Sequence, residues 1–468
     1  MNDLLREAAL SRPDAPALSD GERAWTYAEL DAAVGRMARR LSPLGVAPGA
    51  TVALVAHPSA LSVQAIHAVH RTGAVLAPLN PRLNPASIEN ALETVGPCVI
   101  LSTRQDILAL GLDPDWVTPV DDLPKVVVPA EGAADSPSMR EDPESPLAVI
   151  LTSGTSGDPK TIPIYSNALA TNSRAVAARL DLGETDRWYA SLSIAHIGGL
   201  AQIHRSVEVG CTLLVRGKFS ARVLADLIDS GDVTHTSLVP TMLQQLLEVR
   251  EGLSVPPTLK CLLVGGAAAG KDLVETALRK GYPIALTYGI TEACSQVATA
   301  PPKLVRTKPD AVGPPLDGIE LRFRDSGEIC IRGVTVSQAV VDEDGWFSTG
   351  DLGAFDDDGH LRVTGRLGDR IISGGVNVDP LFVETVMRKL PGVSGVAVVG
   401  VPDDLWGEVV VAMVVLDSDT PPDPQPLIAV IRERLATAEV PRRIEFVDAL
   451  PLNVNGKVDR SRVRARLT

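Results

Sequence analysis

The sequence predicts an α/β protein with a large N-terminal domain of β/α subdomains and a small α+β C-terminal domain. Between Leu4 and Gly210, short apolar runs alternate with longer amphipathic stretches, which is typical of sheets covered by helices. Between Leu321 and Arg366, strand-like runs separated by Asp/Gly turns predict hairpins and a small β-rich part. The rest of the chain, about 100 residues, is long enough for a compact domain of its own.

The elements follow in order along the chain. Residues 51–55 and 73–79 are predicted strands, and residues 60–71 are a predicted helix between them. The apolar run 147–151 predicts a buried strand, preceded by a Pro/Asp/Glu-rich surface connection at 129–146. In the C-terminal part, helices are predicted over 378–390 and 426–435, and strands over 393–401 and 409–416. The predicted domains are therefore 1–365 and 370–468, joined by the segment 366–369.

Length, charge and cysteine content exclude several classes of protein. With 468 residues, the chain exceeds what a single core usually holds. A net charge of −14 argues against nucleic acid as a partner, because phosphate backbones are bound by basic surfaces. Five cysteines without a CxxC pair favour reduced thiols and a cytoplasmic location. We expect no signal peptide and no membrane-spanning segment. Formation of a homo-oligomer is compatible with the sequence.

The run of residues 147–151 ends in a loop rich in glycine and hydroxyl side chains, TSGTSGDPK, from Thr152 to Lys160. Glycine lets a backbone approach a ligand closely, hydroxyl and N–H groups donate to phosphate oxygens, and a lysine neutralises charge. These properties suit a phosphate-binding loop. An ordinary solvated loop is the alternative, because most clusters of this composition are no more than that.

Five further motifs follow in a fixed order. They are GGAAAG from Gly265, TYGITEACSQ from Thr287, GWFSTGDLG from Gly345, GRLGDRIISGGVNVDP from Gly365 and PLNVNGKVDR from Pro451. Together with the loop they resemble the motifs of the adenylate-forming enzymes, which include acyl-CoA synthetases, peptide-synthetase adenylation domains and luciferases. The resemblance covers nearly the whole chain. GGAAAGKD also approaches a Walker A motif, but Asp272 replaces the hydroxyl that would hold magnesium, so a P-loop NTPase is rejected.

The resemblance implies an ATP-dependent reaction in which a carboxylic acid first forms an acyl adenylate and a thiol then displaces AMP. It implies that Glu292 binds Mg²⁺ and that Thr291 contacts the α-phosphate; the alternative for Glu292 is a surface glutamate. The remaining ATP contacts that it implies are Thr152, Ser153, Gly154, Thr155, Ser156, Gly157 and Lys160 in the phosphate loop, Gly266, Ala267 and Tyr288 for adenine, and Asp351 and Arg366 for ribose. Gly289 is a further implied ATP contact.

The resemblance also implies a catalytic lysine on a mobile C-terminal domain. Lys457 in NGKVDR matches that lysine; the alternative is a solvated surface charge. Gly368 stands at the pivot position, where many relatives have Asp or Lys. Glycine absorbs a large backbone rotation at low cost, so the resemblance still implies a hinge there.

The segment TEACSQVAT, and Arg205 standing nine residues after His196 in HIGGLAQIHR, resemble the o-succinylbenzoate–CoA ligases of menaquinone biosynthesis. This narrower resemblance implies the acid. His196, Arg205, Ser295 and Gln296 are the implied acid contacts, and Arg205 would pair with the second carboxylate of that acid. The alternatives are a core histidine at 196 and a surface arginine at 205 paired with Glu208. Coenzyme A is implied by the SGG of Ser373, Gly374 and Gly375, and we expect no carrier domain after Thr468. Two alternative functions are compatible with the sequence: a ligase for another aryl or medium-chain acid, and a module that loads a carrier protein.

Overall fold

The computed structural model describes residues 3–104, 106–107, 117–120, 145–153, 159–416, 428, 430–453 and 457–468. The chain folds into two compact units. The first comprises Met1–Glu320 and Arg332–Phe347, and the second comprises Leu321–Ile331 and Ser348–Thr468. Most of the β-rich part therefore groups with the C-terminal residues. The hinge and boundary at 366–369 stay a prediction.

The first unit contains two sheets and the helices that cover them. Its strands are β1 Pro16–Ser19, β2 Ala24–Thr26, β3 Thr51–Val55, β4 Val75–Leu79, β5 Val99–Ser102, β6 Thr118–Pro119, β7 Ala148–Ser153, β8 Pro159–Ile164, β9 Arg187–Tyr189, β10 Thr212–Leu214, β11 His235–Leu238, β12 Cys261–Val264, β13 Ile284–Ile290 and β14 Ser295–Ala300. Its helices are α1 Leu4–Ser11, α2 Tyr27–Leu41, α3 Ala60–Arg71, α4 Pro85–Val95, α5 Ser166–Leu180, α6 Ile197–Val209, α7 Ala221–Asp229, α8 Pro240–Val249, α9 Lys271–Arg279 and α10 Pro302–Val305.

The strand order places several strand ends side by side. One sheet has the order β14-β13-β12-β11-β9-β10-β1-β2, and the other has the order β6-β5-β3-β4-β7-β8. The strands β11, β12 and β13 are mutually parallel, and β4 is parallel to both β3 and β7. Ligands of open α/β sheets bind beyond the carboxyl ends of such strands. The motifs that follow β7, β12 and β13 therefore lie where ligand binding is expected.

Local sequence explains where the helices begin. Thr26 and Glu29 form a reciprocal capping box at the start of α2, and Ser59 caps α3. Both faces of β3 and β4 are buried, as expected for parallel strands with helices on both sides. The predicted strand at 51–55 and helix at 60–71 coincide with β3 and α3. In the part of the chain that the structure describes, no helix is long and apolar enough to cross a membrane.

The second unit is built around a five-stranded sheet and holds most of a four-stranded one. The remaining strands are β15 Ile319–Phe323, β16 Glu328–Gly333, β17 Phe347–Phe355, β18 Leu361–Arg366, β19 Ile371–Ser373, β20 Val376–Val378, β21 Val393–Asp403, β22 Gly407–Leu416 and β23 Arg443–Phe446, and the helices are α11 Pro380–Met387 and α12 Arg460–Leu467. The predicted hairpin turn at 356–359 joins β17 and β18, and the Asp356 carboxylate accepts backbone N–H groups of Asp358 and His360. The predicted α/β fold is thus confirmed. The helix predicted over 426–435 is described only at Ile428 and from residue 430, and residues 430–432 are helical.

Candidate active site

The predicted phosphate loop connects β7 and β8. These strands pair antiparallel, with Thr152 opposite Lys160 and Ser153 opposite Pro159, so the two ends of the loop are held together. The Thr152 hydroxyl donates to the Lys160 carbonyl at 3.4 Å, and Lys160 is exposed. Gly154, Thr155, Ser156 and Gly157 lie outside the described residues. The structure therefore fixes the base of this loop at the carboxyl end of β7.

The predicted adenine contacts follow two adjacent parallel strands. Val264 at the end of β12 pairs with Leu286 of β13, so Gly265 lies beside Thr287. A Cβ at Gly265 would come within 2.5 Å of the Thr287 methyl group, so only glycine permits this approach. Gly266 has a φ of +77°, a left-handed conformation that favours glycine. The loop holding Gly266 and Ala267 is thereby placed beside the end of β13, which holds Tyr288 and Gly289.

Thr291 and Glu292 are presented by a short 3₁₀ turn, Thr291–Ala293, between β13 and β14. The two residues after the turn have positive φ angles, which are rare for residues other than glycine: +57° at Cys294 and +109° at Ser295. Such conformations cost energy in non-glycine residues and cluster at functional sites. A Cβ at Gly289 would lie 2.0 Å from the Ser295 carbonyl oxygen, so the two strands meet closely at this point. The Glu292 carbonyl accepts the Ser337 N–H at 2.8 Å, which fixes the turn.

The Glu292 side chain suits a magnesium ion. It is half-buried, and none of the described residues forms an ion pair with it. Magnesium prefers oxygen ligands and is usually held by one or two carboxylates together with substrate phosphates. The donor chemistry at Glu292 therefore fits Mg²⁺.

His196 stands at the start of α6. Its Nε2 is 3.4 Å from the Asn80 side-chain nitrogen, and Asn80 directly follows β4. Because β4 is parallel to β7, His196 lies at the same sheet edge as the base of the phosphate loop. Sequence reasoning missed Asn80, although its position just after a buried strand was a signal.

Arg205 points from α6 into the interior. It is 2% exposed, and its guanidinium lies 5.2 Å from the centre of the Trp188 ring. Burial lowers its pKa to about 10, and its neighbours Cys211 and Cys294 oppose that shift. Glu208 pairs instead with Arg174, at 2.6 Å, so the surface alternative for Arg205 is wrong. Nε of Arg205 is buried without a hydrogen-bond partner in the described part of the chain.

Gln202 is a second buried polar group on α6 that sequence reasoning missed. It is 1% exposed, and both polar atoms of its amide lack partners among the described residues. Residues three apart on a helix face the same side, so its position relative to Arg205 was the available signal. Ser295 and Gln296 are also buried. The Gln296 amide oxygen already accepts the hydroxyls of Thr287 and Thr299, which limits what it can offer a ligand.

In the second unit, the predicted ribose contacts and the catalytic lysine come together. Asp351 and Arg366 face each other across β17 and β18, with the carboxylate 3.5 Å from Nε. The pKa of Lys457 is lowered by burial and by the positive charge of Arg366, against the opposing charge of Asp351. Lys457 therefore lies near this pair. Its backbone is held by a hydrogen bond from its N–H to the Asn453 side chain at 3.1 Å.

The predicted CoA loop and hinge also lie in the second unit. Ser373 is buried, and Gly374 and Gly375 have positive φ angles. A Cβ at Gly374 would lie 2.5 Å from the Trp406 ring, so the loop needs glycine to pack there. Gly368 lies in the 3₁₀ turn Leu367–Asp369, and a Cβ there would meet nothing within 4 Å. This position therefore leaves room for a side chain such as that of Asp or Lys.

Comparisons with known proteins identify the family of this chain. Residues 5–339 match the family described as AMP-binding enzyme, and residues 383–457 match the AMP-binding enzyme C-terminal domain. A 2-succinylbenzoate–CoA ligase of Geobacillus kaustophilus is 36% identical, over 99% of this chain and 97% of that protein. One of Bacillus licheniformis is 34% identical, over 98% of each. The o-succinylbenzoate CoA synthetase of Bacillus subtilis, solved with its acyl-adenylate intermediate, has a TM-score of 0.88 at 31% identity, over 100% of this chain and 98% of that one.

The fold and the motifs at its strand ends define an enzyme that binds a nucleotide. The chain belongs to the AMP-binding enzyme family. An amide bond synthetase of Marinactinospora thermotolerans, 27% identical, has the same TM-score of 0.88 over 99% of each chain. Overall fold alone therefore does not specify the acceptor in this family.

Proposed function

We propose that this chain is an AMP-forming ligase that joins a carboxylic acid to coenzyme A, with ATP as the second substrate and Mg²⁺ as the metal. In the first half-reaction, a carboxylate oxygen attacks the α-phosphorus of ATP and diphosphate leaves. In the second, the sulfur of CoA attacks the acyl carbon and AMP leaves. The ordered motifs, their positions at strand ends and the relatives that share the full length support this proposal.

The first half-reaction brings an anion to a polyanion, so the site must supply positive charge and hydrogen-bond donors. Thr152, Ser153 and Lys160, with the loop between them, would hold the β- and γ-phosphates, and Thr291 the α-phosphate. Glu292 would hold Mg²⁺, which neutralises phosphate charge when bound. Asp351 would accept both ribose hydroxyls beside Arg366, since an ionised carboxylate has several acceptor sites.

Lys457 would contact both the acid carboxylate and the α-phosphate. Its proximity to the Asp351–Arg366 pair supports this role, because that pair is the proposed ribose contact. A partly buried ammonium beside a guanidinium is electrostatically unfavourable, and phosphate oxygens would relieve that repulsion. Ser373, Gly374 and Gly375 would contact coenzyme A during the second half-reaction.

We propose o-succinylbenzoate as the acid, and the unpaired burial of Arg205 is the observation on which this rests. Arg250 provides the contrast within the same unit. It is 1% exposed, but it donates to the Asp229 carboxylate, the Tyr282 hydroxyl and the Ser254 carbonyl. None of the described residues offers Arg205 a hydrogen bond or a carboxylate. Burying a charge without a partner costs several kcal/mol, which an incoming carboxylate would offset.

The neighbours of Arg205 suit an aromatic dicarboxylate. The substrate keeps its second carboxylate after activation, so one end of its pocket needs a cation and further donors. Gln202 could donate from its free amide nitrogen, and Ser295 directly follows Cys294, a neighbour of Arg205. His196 and Asn80 would lie nearer the reacting carboxylate, at the sheet edge shared with the phosphate loop.

Release of diphosphate and AMP across a panel of acids tests the proposal. The panel holds o-succinylbenzoate, a ketone of the same shape without the second acid group, benzoate and a medium-chain fatty acid, each with CoA, with a carrier protein and with neither. We expect the highest kcat/KM for o-succinylbenzoate and thioester only with CoA. Preference for another acid would reject the substrate, transfer to the carrier alone would reject CoA, and no AMP from any acid would reject the ligase.

A further inference from the structure

Arg460 occupies a central position in the second unit that its place in the motif does not explain. It is the first residue of α12 and lies three residues after Lys457. Its Nη1 donates to the Glu384 carboxylate at 2.6 Å and to the Val398 carbonyl at 2.6 Å. Its Nε is 3.3 Å from the Asp369 carboxylate. One side chain thus connects the start of α12 with α11, β21 and the turn Leu367–Asp369.

Glu384, the carboxylate partner of Arg460, is itself held in place by several hydrogen bonds. Its side chain is 3% exposed, and the carboxylate also accepts the Val398 N–H at 2.9 Å and an Arg388 nitrogen at 3.0 Å. A buried carboxylate with this many partners holds one orientation, because losing any partner leaves charge unsatisfied. The guanidinium of Arg460 is therefore fixed to the core of the unit.

The path from Arg460 back to Lys457 is short and hydrogen-bonded. Val458 pairs with Leu452, and the Asp459 N–H donates to the Pro451 carbonyl at 2.9 Å. The Asp459 carboxylate caps α12 by accepting the Arg462 N–H at 3.1 Å. Three residues span at most about 10 Å, so fixing Arg460 confines the backbone of Lys457 to a small region.

We propose that Arg460 is the positioning residue of Lys457. Its contacts with Glu384 and with Asp369, the residue after the predicted pivot, hold residues 457–460 in place. The Lys457 ammonium therefore stays beside Asp351 and Arg366. This inference rests on the proposed function, in which Lys457 acts during adenylation. The competing interpretation is a purely structural arginine that fastens α12 to the sheet.

The two interpretations differ in which half-reaction suffers when Arg460 changes. Single-turnover rates would be measured separately for adenylate formation, and for thioester formation from a supplied acyl adenylate, using whichever acid the wild type activates best. For Arg460→Met we expect adenylation to fall about tenfold to a hundredfold, since a displacement of an ångström can cost that much. We expect KM for ATP and the thioester rate to stay within about threefold.

Two milder variants and a matched control complete the test. Arg460→Lys keeps the positive charge but loses the planar set of N–H donors of the guanidinium. Its adenylation rate should lie between those of Arg460→Met and the wild type. Asp369→Asn removes only the half-exposed partner and should lower adenylation by about threefold to tenfold without changing Tm. Arg462→Met is the control, because the Arg462 side chain is 71% exposed and Asp459 is its one ion-pair partner among the described residues. It should leave both rates unchanged.

A parallel fall of both half-reactions, with no recovery in Arg460→Lys, would make Arg460 structural and overturn the inference. The inference would also be overturned if the Asp369→Asn variant and the Arg460→Lys variant each adenylated the acid at the wild-type rate. Should Arg460→Met fail to fold, those two variants decide the question alone. Failure of the proposed function is a separate result, because it would show as a wild type that adenylates no acid.

Discussion

Replacement of Arg205 by methionine removes the buried cation while keeping most of the side-chain volume. We expect kcat/KM for o-succinylbenzoate to fall strongly and the rate with the matched ketone, which lacks the second acid group, to change little or rise. The reason is that only the dicarboxylate needs a charged partner at this place. The assay is diphosphate release under initial-rate conditions, with both acids and both proteins.

The expected loss follows from the burial of Arg205. At 2% exposure, a carboxylate paired with this guanidinium is desolvated, and removal of one partner of such a pair costs about 2–5 kcal/mol. This corresponds to a loss of about thirtyfold or more in kcat/KM. In the absence of substrate, the same change removes an unpaired buried charge. The substrate-free variant should therefore be more stable than the wild type by about 1–4 kcal/mol, and addition of o-succinylbenzoate should raise Tm only in the wild type.

Two further variants decide between recognition and packing. Arg205→Lys should lie between wild type and Arg205→Met at neutral pH. Because burial lowers the pKa of a lysine at this position, its kcat/KM for the dicarboxylate should fall as the pH rises. Arg250→Met is the control, since it removes a buried arginine that already pairs with Asp229 of the protein itself. It should lower Tm and change kcat/KM equally for both acids. Equal losses with both acids in Arg205→Met would refute the reasoning.

Three other outcomes are expected. Lys457→Ala should abolish adenylate formation yet spare thioester formation from a supplied adenylate, and equal loss in single-turnover assays of both halves would contradict its role. Gly368→Pro should impair one half-reaction far more than the other, because proline fixes φ; wild-type rates in both would remove the pivot from this residue. Burial lowers the pKa of His67 to about 4, that of His70 to about 3 and that of His204 well below its usual value. The unfolded state then binds more protons below about pH 6.5, so the free energy of unfolding should fall between pH 7 and pH 5, by about 2 kcal/mol for each of His67 and His70 and in the same direction for His204. Urea titrations that show no such fall would contradict this.

The sequence predicted the elements whose cause is local. Ala60–Arg71 is a helix whose start is capped by Ser59, and the Asp-rich segment at 356–359 is a turn because an aspartate side chain binds the following backbone. The motif TYGITEACSQ likewise kept Thr287, Tyr288 and Glu292 together in one short segment, which spans the end of β13 and the turn after it. Each of these inferences used neighbours in the chain, which is why a single sequence was sufficient.

Features that depend on distant residues could not be predicted in this way. Whether Arg205 is paired depends on which side chains surround α6, and the i+3 neighbour Glu208 was the only candidate that periodicity offered. The structure instead turns Glu208 toward Arg174 of α5 and buries Arg205 against Trp188 of β9. The cluster of His67, His70 and His204 has the same origin, since α3 and α6 are more than a hundred residues apart in sequence.

The close approach of Gly289 to the Ser295 carbonyl limits how a library could retarget this enzyme to other acids. Position 289 is closed to every side chain, because even a methyl group would lie 2.0 Å from that oxygen. Positions 294 and 295 have the opposite property, since their positive φ angles mean that glycine would fit each of them with less strain. Randomisation would therefore spare position 289 and include glycine at 294 and 295, where new acid preferences could be selected without breaking the turn that presents Glu292.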